Sequence, residues 1–292
     1  MAQVRANGIA IEVETAGDPA HPALLLVMGL GVQMTQWPPE LVAALVDAGY
    51  FVIRFDNRDI GLSEKFDHKG LPNLRRVGLV RLLGFSPRLP YTLADMAADA
   101  VGVLDALGVA KAHIVGASMG GMISQHIAAS FPERVLSLTS VMSSSGKRGL
   151  PMARPEAMAA LMAPPPPPEA EAVADWAVKI NRAIGSPAYP APEERIRARA
   201  KSDFARSYHP DGKVRQLAAI IGDGDRSARL KRIAAPTLVL HGADDPLVPV
   251  ECGRHTAAMI PGARLHEIKG MGHDLPLELV GEVTEVIASI AG

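Results

Sequence analysis

Short apolar runs alternate along the chain with longer stretches in which apolar residues recur every three or four positions. The runs IAIEVETAG, ALLLVMG, YFVIRFD, AHIVGAS, VLSLTSVMS, PTLVLHG and ARLHEIKG read as β-strands. Most are nearly continuous in apolar residues, the pattern of strands covered on both faces. Between them, TLADMAADAVGVLDALGV carries helical periodicity behind a threonine cap, and LELVGEVTEVIASI near the C-terminus has the same period. Strands and helices in alternation predict an α/β fold: a mostly parallel sheet flanked by helices.

The rhythm breaks between about residues 143 and 227. Five consecutive prolines in MAPPPPPEAEAV should form a stiff extended connector, since proline neither continues a helix nor donates to a sheet. Around it, PEAMAALMA, AEAVADWAVKINRAI and PEERIRARAKSDFARSY read as helices, with no strand candidate among them. A segment so poor in large apolar residues would bury little surface alone. The division expected is a core domain of residues 1–142 and 228–292, with 143–227 as a helical cap packed over the sheet.

Composition narrows the function. A chain of 292 residues accommodates one catalytic domain with an insertion, and 48% hydrophobic with 21% charged residues suits a globular protein. The formal net charge of −1 gives no field that would draw in nucleic acid or an anionic membrane, so neither is expected as a partner. Cys252 is the single cysteine, which excludes an internal disulfide and leaves the compartment open. The opening MAQVRANGIAIEVETAGDP lacks the pattern of a secretory signal, and no run approaches the ~18 apolar residues of a membrane span. A cytoplasmic location is the expectation, as monomer or homodimer.

Candidate chemistry starts at Gly116-Ala117-Ser118-Met119-Gly120, a G-x-S-x-G pattern with an apolar run before it and helical periodicity after it. In such an elbow the serine is a nucleophile on a strained turn, and the helix N-terminus points free N–H groups at the developing charge. A serine hydroxyl needs a base, and the base needs an acid to orient it. His273, in the glycine-flanked loop KGMGHDLP after the last strand, is the candidate base. His113, His126, His241, His255 and His266 lie within or at the ends of elements and are weaker candidates. The acid should follow the strand PTLVLHG, where HGADDPLVP offers Asp244 and Asp245. Two backbone N–H groups should hold the oxyanion: that of Met119, and that of Leu30 between Gly29 and Gly31. Met34, Trp37 and Trp176 could line an apolar pocket, although Trp176 could equally pin a helix of the insertion to the core. With no H-E-x-x-H spacing and no phosphate-loop or dinucleotide-binding glycine pattern, neither metal nor cofactor is expected.

These residues resemble the α/β-hydrolase superfamily over nearly the whole chain outside the insertion. FDNRDIGLS (55–63) is similar to the superfamily's D-x-R-G-x-G-x-S segment, with Asp59 standing where glycine is common. Many hydrolases of this fold place the acid at the spacing before Val248-Pro249 that Asp245 holds, which favours Asp245 and leaves Asp244 to cap the loop or face solvent. More narrowly, LLLVMG, VIRFDNRDIGLS and GMGHDLP resemble the aclacinomycin methylesterase group, bacterial enzymes that remove a methyl ester from polyketide antibiotics. The resemblance implies a serine esterase working through an acyl-enzyme on a small or medium ester. Cofactor-free haloperoxidases or perhydrolases, lactonases and carbon–carbon bond hydrolases share the same triad. Haloalkane dehalogenases and epoxide hydrolases are disfavoured because they carry aspartate where Ser118 stands. Some members of the fold are non-catalytic binding proteins, which an intact triad argues against.

Overall fold

The structure, a computed structural model, describes residues 2–291. Its strands are β1 (Ala2–Ala6), β2 (Ile9–Ala16), β3 (Ala23–Val27), β4 (Phe51–Phe55), β5 (Ala112–Ala117), β6 (Val135–Val141), β7 (Thr237–Gly242) and β8 (Arg264–Ile268). They form one sheet in the order β1-β2-β4-β3-β5-β6-β7-β8. The pairs β1–β2 and β2–β4 are antiparallel, and every other pair is parallel.

The helices are α1 (Pro39–Asp47), α2 (Leu74–Leu82), α3 (Leu93–Ala106), α4 (Met119–Ser130), α5 (Pro155–Met162), α6 (Ala170–Ile184), α7 (Glu193–Arg206), α8 (Pro210–Asp223), α9 (Ser227–Leu230), α10 (Val250–Met259) and α11 (Val280–Ala291). None is long and apolar enough to cross a membrane, among the described residues.

Alternation along β3 explains the layers. Leu25 and Val27 join Leu93, Met96, Ile123 and Ile127 of α3 and α4 on one face, while Leu24 and Leu26 join Leu41, Leu45, Val283 and Ile287 of α1 and α11 on the other. All four β3 side chains are completely buried, and each contributes about 1.5–3 kcal/mol by leaving water. A capping box starts α3: the Thr92 side chain accepts from Asp95 N–H, and the Asp95 carboxylate accepts from Thr92 N–H.

Strand β1 is not predicted from the sequence, because its five residues AQVRA are short, mostly exposed and carry only small apolar side chains on one face. The available cue was Asn7-Gly8. With φ of 49° and 82°, this pair makes the two-residue turn that joins β1 to β2. Helices α2 and α8 likewise appear where no element was anticipated.

Between β6 and β7 the chain runs through α5–α9 with no strand among the described residues, and Pro164–Pro168 lie between α5 and α6 outside helix and strand. This excursion is fastened to the sheet's loops by polar contacts. Arg206 donates to the fully buried Asp56 at 2.6 Å, and Gln33 donates to the carbonyls of Asp203 and Ser207.

Candidate active site

Ser118 lies in the turn between β5 and α4, with φ 56° and ψ −117°. A non-glycine residue in this region costs of order 1–3 kcal/mol and persists only where the surroundings impose it. Here Ser118 N–H donates to Val141 O at 2.9 Å, and the Ser143 hydroxyl donates to Ser118 O at 2.8 Å. The flanking glycines are required by close backbone approach. A Cβ on Gly116 would lie 2.2 Å from Gly120 O, and one on Gly120 would lie 2.0 Å from Val27 O.

The loops after β7 and β8 converge on this turn. His273 Nε2 is 3.0 Å from Ser118 Oγ, and its Nδ1 is 2.7 Å from Asp245 Oδ2. With its proton on Nδ1, the imidazole has Nε2 free to accept from the serine hydroxyl. Asp245 is buried, and its other oxygen accepts N–H groups of Leu247 and Val248, both at 2.8 Å. Asp244 is exposed and accepts from Gly270 N–H instead. Hydroxyl, imidazole and carboxylate thus stand in series, an arrangement able to carry a proton away from Ser118.

The other candidate histidines have different partners. His113 meets Ser137, His126 meets Asp223 and Arg229, His255 meets Ser145, and His266 meets Glu282. His241 supports the Asp245 loop from beneath: its Nε2 donates to Val248 O at 2.7 Å, and it lies 3.7 Å from Asp245 Oδ2. Burial holds the His241 imidazole below its ordinary value. The unfolded chain protonates this side chain near pH 6.5, whereas the fold resists doing so. The stability this provides is therefore complete above about pH 6.5 and is lost as pH falls toward the lower folded value. Melting temperature should drop between pH 7.5 and 5, and His241→Gln should flatten that slope; an unchanged slope would contradict the assignment.

Two backbone N–H groups lie on the elements that flank Ser118. Met119 is the first residue of α4, so its N–H has no carbonyl one turn earlier in the helix. In the loop after β3, a Cβ on Gly29 would meet Ser118 Cβ at 3.3 Å, which puts this loop against the serine. Gly31, at φ 71°, turns its N–H to Gln216 Oε1 at 2.9 Å. Leu30 N–H has no partner among the described residues.

The expected pocket needs correction. Met34 and Trp37 are 0% and 1% exposed and present no surface to a ligand. Trp37 packs with Leu41, Val42 and Leu45 under α1, because the loop after β3 turns this side chain back into the core. Trp176 is half-buried on α6, with the Lys213 ammonium 5.2 Å from its ring centroid. The Lys213 stem in turn packs against Gly31, where a Cβ would meet it at 2.8 Å.

The family model of the alpha/beta hydrolase fold matches residues 22–278, which takes in the serine turn, both converging loops and the excursion. The chain belongs to the alpha/beta hydrolase fold family. This hydrolase is 32% identical over 282 residues to rhodomycin D methylesterase of Streptomyces peucetius, covering 90% of this chain and 89% of that protein. The rhodomycin D methylesterase of Streptomyces sp. strain C5 gives the same identity and coverage. Among solved structures, an enol-lactonase from Burkholderia xenovorans LB400 is similar, with a TM-score of 0.74 at 23% identity over 99% of both chains.

Sequence reasoning missed the residues of the excursion that hold the site's loops. Gln216 of α8 is fully buried; besides accepting from Gly31 N–H, it donates to Arg58 O at 2.9 Å. The end of α6 and the segment after it hold the histidine loop: His273 N–H donates to Ile184 O at 2.7 Å, Gly272 N–H to Ser186 Oγ at 2.8 Å, and the Ser186 hydroxyl donates to Asp274. Arg215 fills the cluster of Asp59, Asp67 and His209, with its Nη2 2.9, 2.7 and 3.0 Å from acceptor atoms of the three. A guanidinium thus occupies the space between acceptors that would otherwise suit a cation.

Proposed function

We propose that this hydrolase cleaves a small or medium apolar carboxylic ester through an acyl-enzyme formed on Ser118. The observation that carries the reading is the hydrogen-bonded series from Ser118 through His273 to Asp245. Ser118 Oγ attacks the ester carbonyl while His273 Nε2 takes its proton. Asp245 stabilises the imidazolium, and the N–H groups of Leu30 and Met119 receive the negative charge that develops on the carbonyl oxygen. The imidazolium then protonates the departing alkoxide. Water, deprotonated by His273, releases the acid and restores the serine.

The names of the Streptomyces relatives support a carboxylic ester as substrate, and a methyl ester is the first to test. Turnover of methyl esters, p-nitrophenyl acyl esters and lactones by the purified protein tests the reading. Ester hydrolysis with kcat/KM above that for lactones is expected. Preference for lactones would move the assignment within the fold, and no turnover of any acyl substrate would contradict it.

Residues 143–227 serve as a cap that also shapes the catalytic loops. Because Gln216 takes the Gly31 N–H, the Leu30 N–H is left for the oxyanion. Gln216→Leu frees the loop and also removes the bond to Arg58 O, while leaving both proposed oxyanion N–H groups in place. Deleting such a donor costs about 10²–10³ in kcat, so its displacement should lower kcat by roughly tenfold. KM should change little, and affinity for a trifluoromethyl ketone should fall in proportion to kcat/KM. A purely structural role would lower melting temperature and leave that proportion unmet.

A further inference from the structure

The face built by α2 and the turn after it is apolar and open to solvent. Leu79, Leu82, Leu83 and Phe85 are between 57 and 66% exposed within seven residues of sequence, while Val77 on the opposite side is buried where α2 packs on α8. Apolar patches of this kind on a folded surface mark interaction sites. Arg75, Arg76 and Arg88, exposed on α2 and the turn after it, flank the patch in sequence, and the exposed Lys147 and Arg148 lie against its C-terminal end, where Arg148 donates to the carbonyls of Arg81 and Leu82. From His68 to Ala94 the chain carries Lys69, Arg75, Arg76, Arg81 and Arg88 and no acidic residue. The net charge of −1 conceals this local imbalance.

A cavity of about 740 Å³ opens beside the patch and brings together Arg81, Arg229 and Arg232 with Asp223 and Asp225. Asp223 pairs with Arg226 at 2.6 Å and with Arg229 at 3.6 Å, and Asp225 accepts from Ser227. Arg81 and Arg232 therefore line the recess with no ion-pair partner among the described residues, and Asp225 is the lining carboxylate left to balance them.

We propose that this face docks on an anionic lipid bilayer. Leu82, Leu83 and Phe85 enter the headgroup–acyl boundary, and the surrounding arginines meet lipid phosphates. A second copy is a poorer occupant, because pairing through this face would set two cationic rims against each other. The inference is independent of ester hydrolysis, since none of these side chains belongs to the catalytic machinery.

The test is sedimentation of the full chain with large unilamellar vesicles. Binding to vesicles containing phosphatidylglycerol is expected to exceed binding to pure phosphatidylcholine by at least about tenfold, and to weaken as salt is raised. Arg75→Gln/Arg76→Gln and Leu82→Ser/Phe85→Ser should each lower the partition coefficient by roughly tenfold. Turnover of a soluble ester and melting temperature should stay unchanged. Equal partitioning onto both lipids, or no binding to either, would overturn the proposal. So would a dimer in light scattering that the Leu82/Phe85 substitutions dissociate.

Discussion

Ser118→Ala is expected to lower kcat/KM for a short p-nitrophenyl ester by roughly 10⁴–10⁶ while leaving the fold intact. The substitution removes the attacking oxygen, and with it the partner of His273 Nε2 at 3.0 Å. It keeps the β-carbon, so the backbone at φ 56° carries the same strain as before. Melting temperature should therefore move by only a few degrees. On the mechanism proposed above, the remaining rate would come from the N–H groups of Leu30 and Met119 and from binding alone. Retention of more than a tenth of the activity would mean that another group attacks the ester.

The second large effect concerns stability. Asp59 is completely buried at φ 72° and receives Arg215 through two hydrogen bonds of 2.7 and 2.9 Å, the Tyr91 hydroxyl at 2.7 Å and Phe66 N–H at 2.8 Å. Burial pushes its carboxyl upward, but the hydrogen bonds from Arg215, Phe66 and Tyr91 outweigh it and hold the group below its ordinary value. Arg215 is 1% exposed. In Asp59→Asn this guanidinium stays buried with Asp67 as its remaining carboxylate, and that side chain is 62% exposed. Stranding one member of a buried pair costs about 3–5 kcal/mol. Thermal melts should show a loss of roughly 6–20 °C at this chain length. The double substitution Asp59→Gly/Arg215→Met removes both charges and the positive-φ side chain together, so it should recover at least half of the loss. A single variant as stable as the wild type would show that α8 is held by other contacts.

Asp59 also illustrates what local sequence conveys. Its departure from glycine was visible in FDNRDIGLS, yet the reason lies 156 positions away in Arg215. The serine turn was legible because strand, small residues and helix follow one another within a dozen positions. The histidine and acid loops were legible because each sits beyond an apolar strand and carries its own glycine or proline punctuation. Gln216, Ser186 and His241 were not, since each acts by gripping a loop whose identity only the packed chain reveals. Trp37 shows the converse error. A tryptophan near the loop after β3 suggested a pocket wall, but nothing in its neighbours says that the ring turns under α1. The hairpin at Asn7-Gly8 was encoded locally all the same, and the polar edge strand obscured it.

The central claim is that Ser118 is the nucleophile of this hydrolase. Its most direct test is labelling of the folded protein with a fluorophosphonate, followed by peptide mass spectrometry. Stoichiometric modification at Ser118 with parallel loss of esterase activity is expected, with labelling much slowed in His273→Ala. An unmodified Ser118 in a fully folded sample, or an adduct on another residue that accounts for the lost activity, would contradict it.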